Sequence, residues 1–285
     1  MINRSTVNMY CCGAVVIARD EGEGIRACLE SLRKQTLTPI LVVVNDGSLD
    51  NTGDIALEYA DILVNLPRHE ESWAGRPELA SVFNAGFNAL REMDVDYVLV
   101  SGADTVYPLT YLESIVSRMR EGDIVLASGV VRGERISWMP RGTGRVIDAR
   151  WFKSIGFRYP LNYGFEAYLV YKALSMGKRV AVFPDLIIET SRKTSLSKEK
   201  MYLWGKGMKA LNYWWPYALG RSLLVGIKSP SRGLALIKGY ISKVNQYEDV
   251  KDFTPRFQQR MFLRRVRGLI GRERRGVWED FYTNM

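Results

Sequence analysis

Apolar positions in the first hundred residues follow two alternating periods. Residues 14–18 (AVVIA) form an unbroken, largely β-branched run that reads as a buried strand. The polar turn Arg19-Asp20-Glu21-Gly22 follows, and then Ile25, Leu29 and Leu32 recur on one helical face. A second apolar run, Leu41 to Val44, ends in Asn45-Asp46-Gly47-Ser48. Strand, turn, helix, strand is a βαβ unit, and the chemistry of such units sits at the carboxyl ends of the strands. Further on, Pro77 opens a helix with Leu79, Val82, Phe83, Gly86 and Leu90 on one face. Tyr97 to Val100 is another aromatic and β-branched strand, closed by Ser101-Gly102-Ala103-Asp104, and Glu166 starts a helix between Gly164 and Gly177.

The strand ends hold the candidate chemistry. Asp46 stands beside a glycine that turns the chain without a Cβ penalty, and an ionised carboxylate there can only accept hydrogen bonds. The order of these segments resembles family 2 glycosyltransferases, which have the glycosyltransferase A fold. In that family a Pro-x-x-Asn-Glu-like segment ends the first strand, and here it reads Ala18-Arg19-Asp20-Glu21. A D-D-G-S-x-D pattern ends the second, and here it is Asn45-Asp46-Gly47-Ser48-Leu49-Asp50. The resemblance implies donor-binding roles for Ala18, Asp20, Glu21 and Asp46, with Asp46 on the nucleotide base. It implies the same for Ala103 and Asp104, which stand where the family has its metal-holding DxD motif, and makes Arg76 the basic group offered by the preceding loop. A divalent cation, Mg²⁺ or Mn²⁺, is the implied cofactor, since hard cations take carboxylate and phosphate oxygens together. The motif is reduced: Gly102 and Ala103 replace its first two positions and only Asp104 remains.

The same resemblance makes Glu166 the general base that takes the acceptor proton in an inverting transfer. Phe165, Tyr168 and Lys172 become acceptor-side groups in place of the family's flanking acids and arginine. Asp148 and Asp185 are the next carboxylates to consider. His69 is the single histidine, which excludes a multi-histidine metal site, and it reads as a loop residue. A sugar nucleotidyltransferase would share the fold but lacks its glycine-rich signature here. A catalytically impaired nucleotide- or glycan-binding scaffold is the other reading, because the metal motif and the acid cluster are both thinned.

Charge divides the chain. The formal balance is −4 over residues 1–191 and +13 over residues 192–285, giving +9 for all 285. The polar stretch Glu189 to Ser195 marks the change, so the sequence predicts two parts: a nucleotide-sugar-binding catalytic domain (1–191) and a basic, aromatic helical extension (192–285). The architecture expected is α/β, a Rossmann-like mixed sheet with helices on both faces, plus that extension. Three tail segments, 202–217, 230–247 and 257–275, interleave apolar and basic positions, and none has the 18 uncharged apolar residues of a membrane span. Basic amphipathic helices with tryptophan and tyrosine read as lying on an anionic membrane surface, unless their apolar faces pack on the catalytic domain. With no nucleic-acid module recognised, a nucleic-acid partner is not expected. Two looser matches, Gly205-Lys206-Gly207-Met208-Lys209-Ala210-Leu211 and Gly239-Tyr240, resemble membrane-associated family 2 enzymes, and the absent Gln-x-x-Arg-Trp signature argues against a processive synthase. The acceptor implied is a hydroxyl on a membrane-associated, polyprenol-linked sugar. Three cysteines make no disulfide framework. Met1-Ile2-Asn3-Arg4 leads almost at once into the first strand, so no signal peptide is expected. The place expected is cytoplasmic, peripheral on the inner face of the cell membrane.

Overall fold

The computed structural model describes residues 10–191 and 197–270, with the backbone alone for 265–270. The segments Met1 to Arg4, 192–195 and 271–275 invoked above lie outside the described residues. The described chain forms two compact units. One holds residues 10–70, 82–158 and 181–191; the other holds 71–81, 159–180 and 197–270.

In the first unit β1 (Cys12–Ala18), β2 (Ile40–Asp46), β3 (Ile62–Leu66) and β4 (Tyr97–Gly102) run parallel in the order β3-β2-β1-β4. β7 (Arg145–Asp148) continues the sheet antiparallel to β4, then β6 (Ile124–Val131) antiparallel to β7. β8 (Arg179–Thr190) follows at that edge and pairs antiparallel with the short β5 (Thr105–Val106). The parallel strands are unbroken apolar runs because both of their faces are covered. Ala14, Val16, Leu41 and Val43 share a core with α1 (Ile25–Arg33), α2 (Thr52–Tyr59) and α4 (Tyr111–Glu121). The opposite face meets α3 (Leu79–Leu90), where Gly86 lies so close to Val15 and Val44 that a Cβ would come within 2.4 Å of Val15. Phe87 of α3 packs against Phe152 of α5 (Ala149–Ser154), with ring centroids 5.1 Å apart. Each such side chain, fully buried, contributes about 1.5–3 kcal/mol relative to exposure. The mixed α/β sheet with helices on both faces is therefore as expected, and Pro77 lies in the turn before α3 rather than inside it.

The second unit is helical: α6 (Phe165–Ser175), α7 (Lys198–Ala210), α8 (Trp215–Lys228), α9 (Pro230–Ile241) and α10 (Phe253–Ile270). The tail segment 202–217 is broken by a turn at Asn212, whose φ is +51°, so it ends α7 and begins α8. Small residues set the spacing of these helices. Gly205 of α7 meets Gly239 of α9 so closely that a Cβ on Gly239 would lie 2.0 Å from the Tyr202 carbonyl. On α9 and just beyond it, Leu234 and Ile241 are exposed while Ile237 and Val244 are half-buried, and the helix packs through Gly233, Leu236 and Gly239. Tyr171 of α6 is buried against Tyr213 and Phe257, and its hydroxyl accepts from Gln258 Nε2 at 3.1 Å.

Candidate active site

The loops that leave β1 and β2 are tied together by short polar side chains. Asp20 adopts φ +51°, its N–H donates to Ser48 Oγ at 3.0 Å, and its Oδ1 accepts from the Leu49 N–H at 2.8 Å. Arg68, just past β3, donates to Asp20 Oδ2 at 2.9 Å and to the Gly47 carbonyl at 2.8 Å. The Leu49 N–H, helped by Arg68, holds the Asp20 carboxyl below the ordinary carboxylate range. Asp50 accepts from the Gly22 N–H, and Thr52 Oγ1 from the Glu21 N–H at 2.7 Å. Gly47 is required twice over: its φ is +64°, and a Cβ would fall 2.4 Å from Arg68 Cα. Asp20 thus shapes the loop pair, and Ala18 is only 3% exposed, so its backbone is what it can offer a ligand.

Asp46 closes β2 and is buried. Its Oδ2 accepts from His69 Nε2 at 2.9 Å, while Arg19 lies against the His69 imidazole and 3.9 Å from the same oxygen. A carboxylate only accepts, so the His69–Asp46 contact needs a proton on Nε2, and Arg19, which only donates, lies against both ring nitrogens. Asp46 Oδ1, also buried, has no hydrogen-bond partner among the described residues. Leaving a buried carboxylate oxygen unsatisfied costs about 1–3 kcal/mol, so this one can accept a hydrogen bond from any donor brought to it. Neither His69, which read as a loop residue, nor Arg19, which stands inside the Ala18-to-Glu21 segment, was singled out for this site; only the fold brings both to Asp46.

Asp104 follows β4, with Ala103 buried before it. Thr105 Oγ1 donates to Asp104 Oδ1 at 3.3 Å, and the Asp104 carbonyl accepts from the Ser191 N–H at 3.0 Å. A Cβ on Gly102 would lie 3.0 Å from Asp104 Oδ1, so the motif's missing first acid would have stood directly beside the surviving one. Among the described residues no group of three or more His, Cys, Asp or Glu side chains could hold a metal ion. Asp104 supplies one ligand, and the rest of a cation's shell would have to come from a diphosphate and water.

The remaining candidates belong to the second unit. Gly164 caps α6 in the left-handed region (φ +72°), placing Phe165 in the core and Glu166 in the first turn. Tyr168 and Lys172, one turn apart on α6, converge on Asp249: the Tyr168 hydroxyl donates to Asp249 Oδ2 at 2.6 Å, and Lys172 Nζ lies 2.8 Å from the same oxygen. Tyr168 also stacks on Tyr247 at 4.4 Å. Arg76 pairs with Glu71 at 2.6 Å and Glu199 at 3.5 Å. Of the reserve carboxylates, Asp148 caps α5 by accepting from the Trp151 N–H at 2.7 Å, and Asp185 pairs with Arg118. Asp249, His69 and Arg68 are the groups that sequence reasoning missed.

Comparison with solved structures defines the class. The fold is that of Staphylococcus aureus TarS (residues 1–349, solved with UDP; TM-score 0.51, 16% identity), covering 70% of this chain and 65% of that one. It is equally that of the mannosyltransferase PcManGT from Pyrobaculum calidifontis, solved with GDP-Man and Mn²⁺ (TM-score 0.55, 17% identity), covering 79% and 67%. These are glycosyltransferase A folds. Residues 14–182 match the family described as glycosyl transferase family 2, and the chain belongs to that family. The putative glycosyltransferase EpsH of Bacillus subtilis is 45% identical over 127 residues, 44% of this chain and 33% of EpsH. The uncharacterized glycosyltransferase YibD of Escherichia coli K12 is 34% identical over 113 residues, 37% of this chain and 29% of YibD. The matches thus span about a third of the length of these relatives.

Proposed function

We propose that the chain is an inverting glycosyltransferase that moves a hexose-type sugar from a nucleoside-diphosphate sugar to a hydroxyl of a membrane-associated, polyprenol-linked acceptor. The observation that carries this reading is Asp46, whose Oδ2 is held by His69 while its buried Oδ1 has no partner among the described residues. A base N–H, from uracil or guanine, satisfies that oxygen. The loop pair held by Asp20, with Glu21 beside it, walls the nucleotide, and Asp104 stands toward the diphosphate. A divalent cation bound there with the donor would offset the negative charge of the departing diphosphate. Glu166 takes the acceptor proton as the hydroxyl attacks the anomeric carbon, with Phe165, Tyr168 and Lys172 shaping the acceptor side and Arg76 offered to the donor. In this reading residues 1–191 do the chemistry and 192–285 hold the protein on the anionic inner face of the cell membrane. Its relatives in fold support the donor class, since they were solved with UDP, UDP-GlcNAc and GDP-Man.

Calorimetry with UDP and GDP tests the reading. One nucleotide should bind wild-type protein, and Asp46→Ala should weaken it by about 1.5–3 kcal/mol, roughly 10- to 150-fold in Kd, with thermal stability retained. Equal affinity in the variant would remove Asp46 from the site. If neither nucleotide binds wild-type protein, the donor reading fails.

A further inference from the structure

Helix α8 is built inside out. Ala218 and Ser222 are buried on its inner side, and Gly226 meets Gly233 of α9. The bulky apolar residues point the other way: Trp215 is 65% exposed, Leu223 58%, Leu224 68% and Ile227 80%, with Leu219 also exposed. Leu219, Leu223 and Ile227 follow at four-residue steps, so they form one stripe along the helix. A soluble helix puts its large apolar residues inward. Small residues at the helix contact and large ones outside is instead how helices pack when lipid covers the outer face.

The charge around this stripe selects its occupant. From Lys200 to Tyr247 the chain has no Asp or Glu, while Lys200, Lys206, Lys209, Arg221, Lys228, Arg232, Lys238 and Lys243 all carry positive charge. A second copy of this surface would repel the first, whereas anionic headgroups attract it. No helix among the described residues is long and apolar enough to cross a membrane. With 14 residues, α8 is about 21 Å long against an apolar bilayer core of about 30 Å. It can lie in the plane of the interface but cannot span it.

We propose that the outward face of α8, Trp215-Leu219-Leu223-Leu224-Ile227, is the surface by which this protein enters an anionic bilayer, with Arg221 and Lys228 at the headgroups. The proposal rests on the membrane-facing reading above and assigns the contact to α8 rather than to α10, where Phe257 and Met261 are buried and Phe262 with Leu263 makes a smaller exposed patch.

Flotation of the full chain, without nucleotide or acceptor, on phosphatidylglycerol-containing and pure phosphatidylcholine vesicles tests it. The wild type should float with the anionic vesicles. Leu223→Ser with Ile227→Ser should lower that partition by about ten-fold or more with an unchanged unfolding midpoint, since both side chains are already in water. Arg221→Gln with Lys228→Gln should weaken anionic binding and its salt dependence. If the Leu223/Ile227 variant floats as well as wild type, α8 is the wrong face although membrane attachment stands. If the wild type does not float at all, both fail, and the nucleotide titration still judges the enzymatic reading separately. A concentration-dependent dimer in sedimentation velocity that the same variant abolishes would make this face a self-interface and overturn the proposal.

Discussion

At the scale of single residues, the two oxygens of Asp46 have different fates. His69 holds Oδ2, which fixes the carboxylate's orientation, and Oδ1 is left without a partner among the described residues. Arg68 does the equivalent work for the loop, pinning Asp20 against Gly47. Glu166 occupies the first turn of α6, where the helix N-terminus favours negative charge. In the proposed mechanism that carboxylate removes the acceptor proton. Glu166→Gln, which keeps the volume, should therefore lower kcat by about 10²–10⁴-fold while donor Kd stays the same. Wild-type turnover in that variant would put the base elsewhere. Neither Asp148, which caps α5, nor Asp185, which is paired with Arg118, is then an uncommitted substitute.

At the scale of elements, the helical unit depends on backbone-to-backbone approach. α7 and α9 meet at Gly205 and Gly239, where an added methyl would strike the Tyr202 or Leu236 carbonyl. Gly239→Ala should destabilise the protein by about 1–3 kcal/mol through overpacking, seen as a lower unfolding midpoint. Gly220 on α8 has nothing within 4 Å of a Cβ, so Gly220→Ala should leave stability equal or raise it by up to about 1 kcal/mol through helix propensity. If the two substitutions behave alike, the close seam is not what holds these helices. The strands β1, β2 and β4 were legible because unbroken apolar runs of this length have few other solutions, and α1 was legible from Ile25, Leu29 and Leu32. The tail helices were less so: periodicity on 230–247 shows an apolar face with Leu234, Ile237, Ile241 and Val244, but that the helix packs through Gly233, Leu236 and Gly239 is not written in that period.

At the scale of the molecule, a slightly acidic first part and a strongly basic tail divide the labour between donor chemistry and attachment in the proposed reading. The donor side makes a prediction of its own, because Asp104 is a lone carboxylate. Mn²⁺ should raise thermal stability only when UDP or GDP is also present, and Asp104→Ala should abolish that cooperation. Tight Mn²⁺ binding to the empty protein, or full turnover in EDTA, would show that the cation does not depend on this residue. By itself the sequence determined the family, the βαβ start, the strand ends that carry Asp46 and Asp104, and the charge division. Each of these is written in local period, turn chemistry or composition. The tertiary structure decided which polar groups are already engaged. Tyr168 and Lys172 are drawn to Asp249, 81 residues beyond Tyr168, Arg76 to Glu71 and Glu199, and His69 to Asp46. It also decided that the apolar stripe of α8 faces outward. Such pairings are set by where distant segments meet in space, and whether an apolar stripe meets a neighbouring helix or stays uncovered is a matter of packing; neither is visible until the chain is folded.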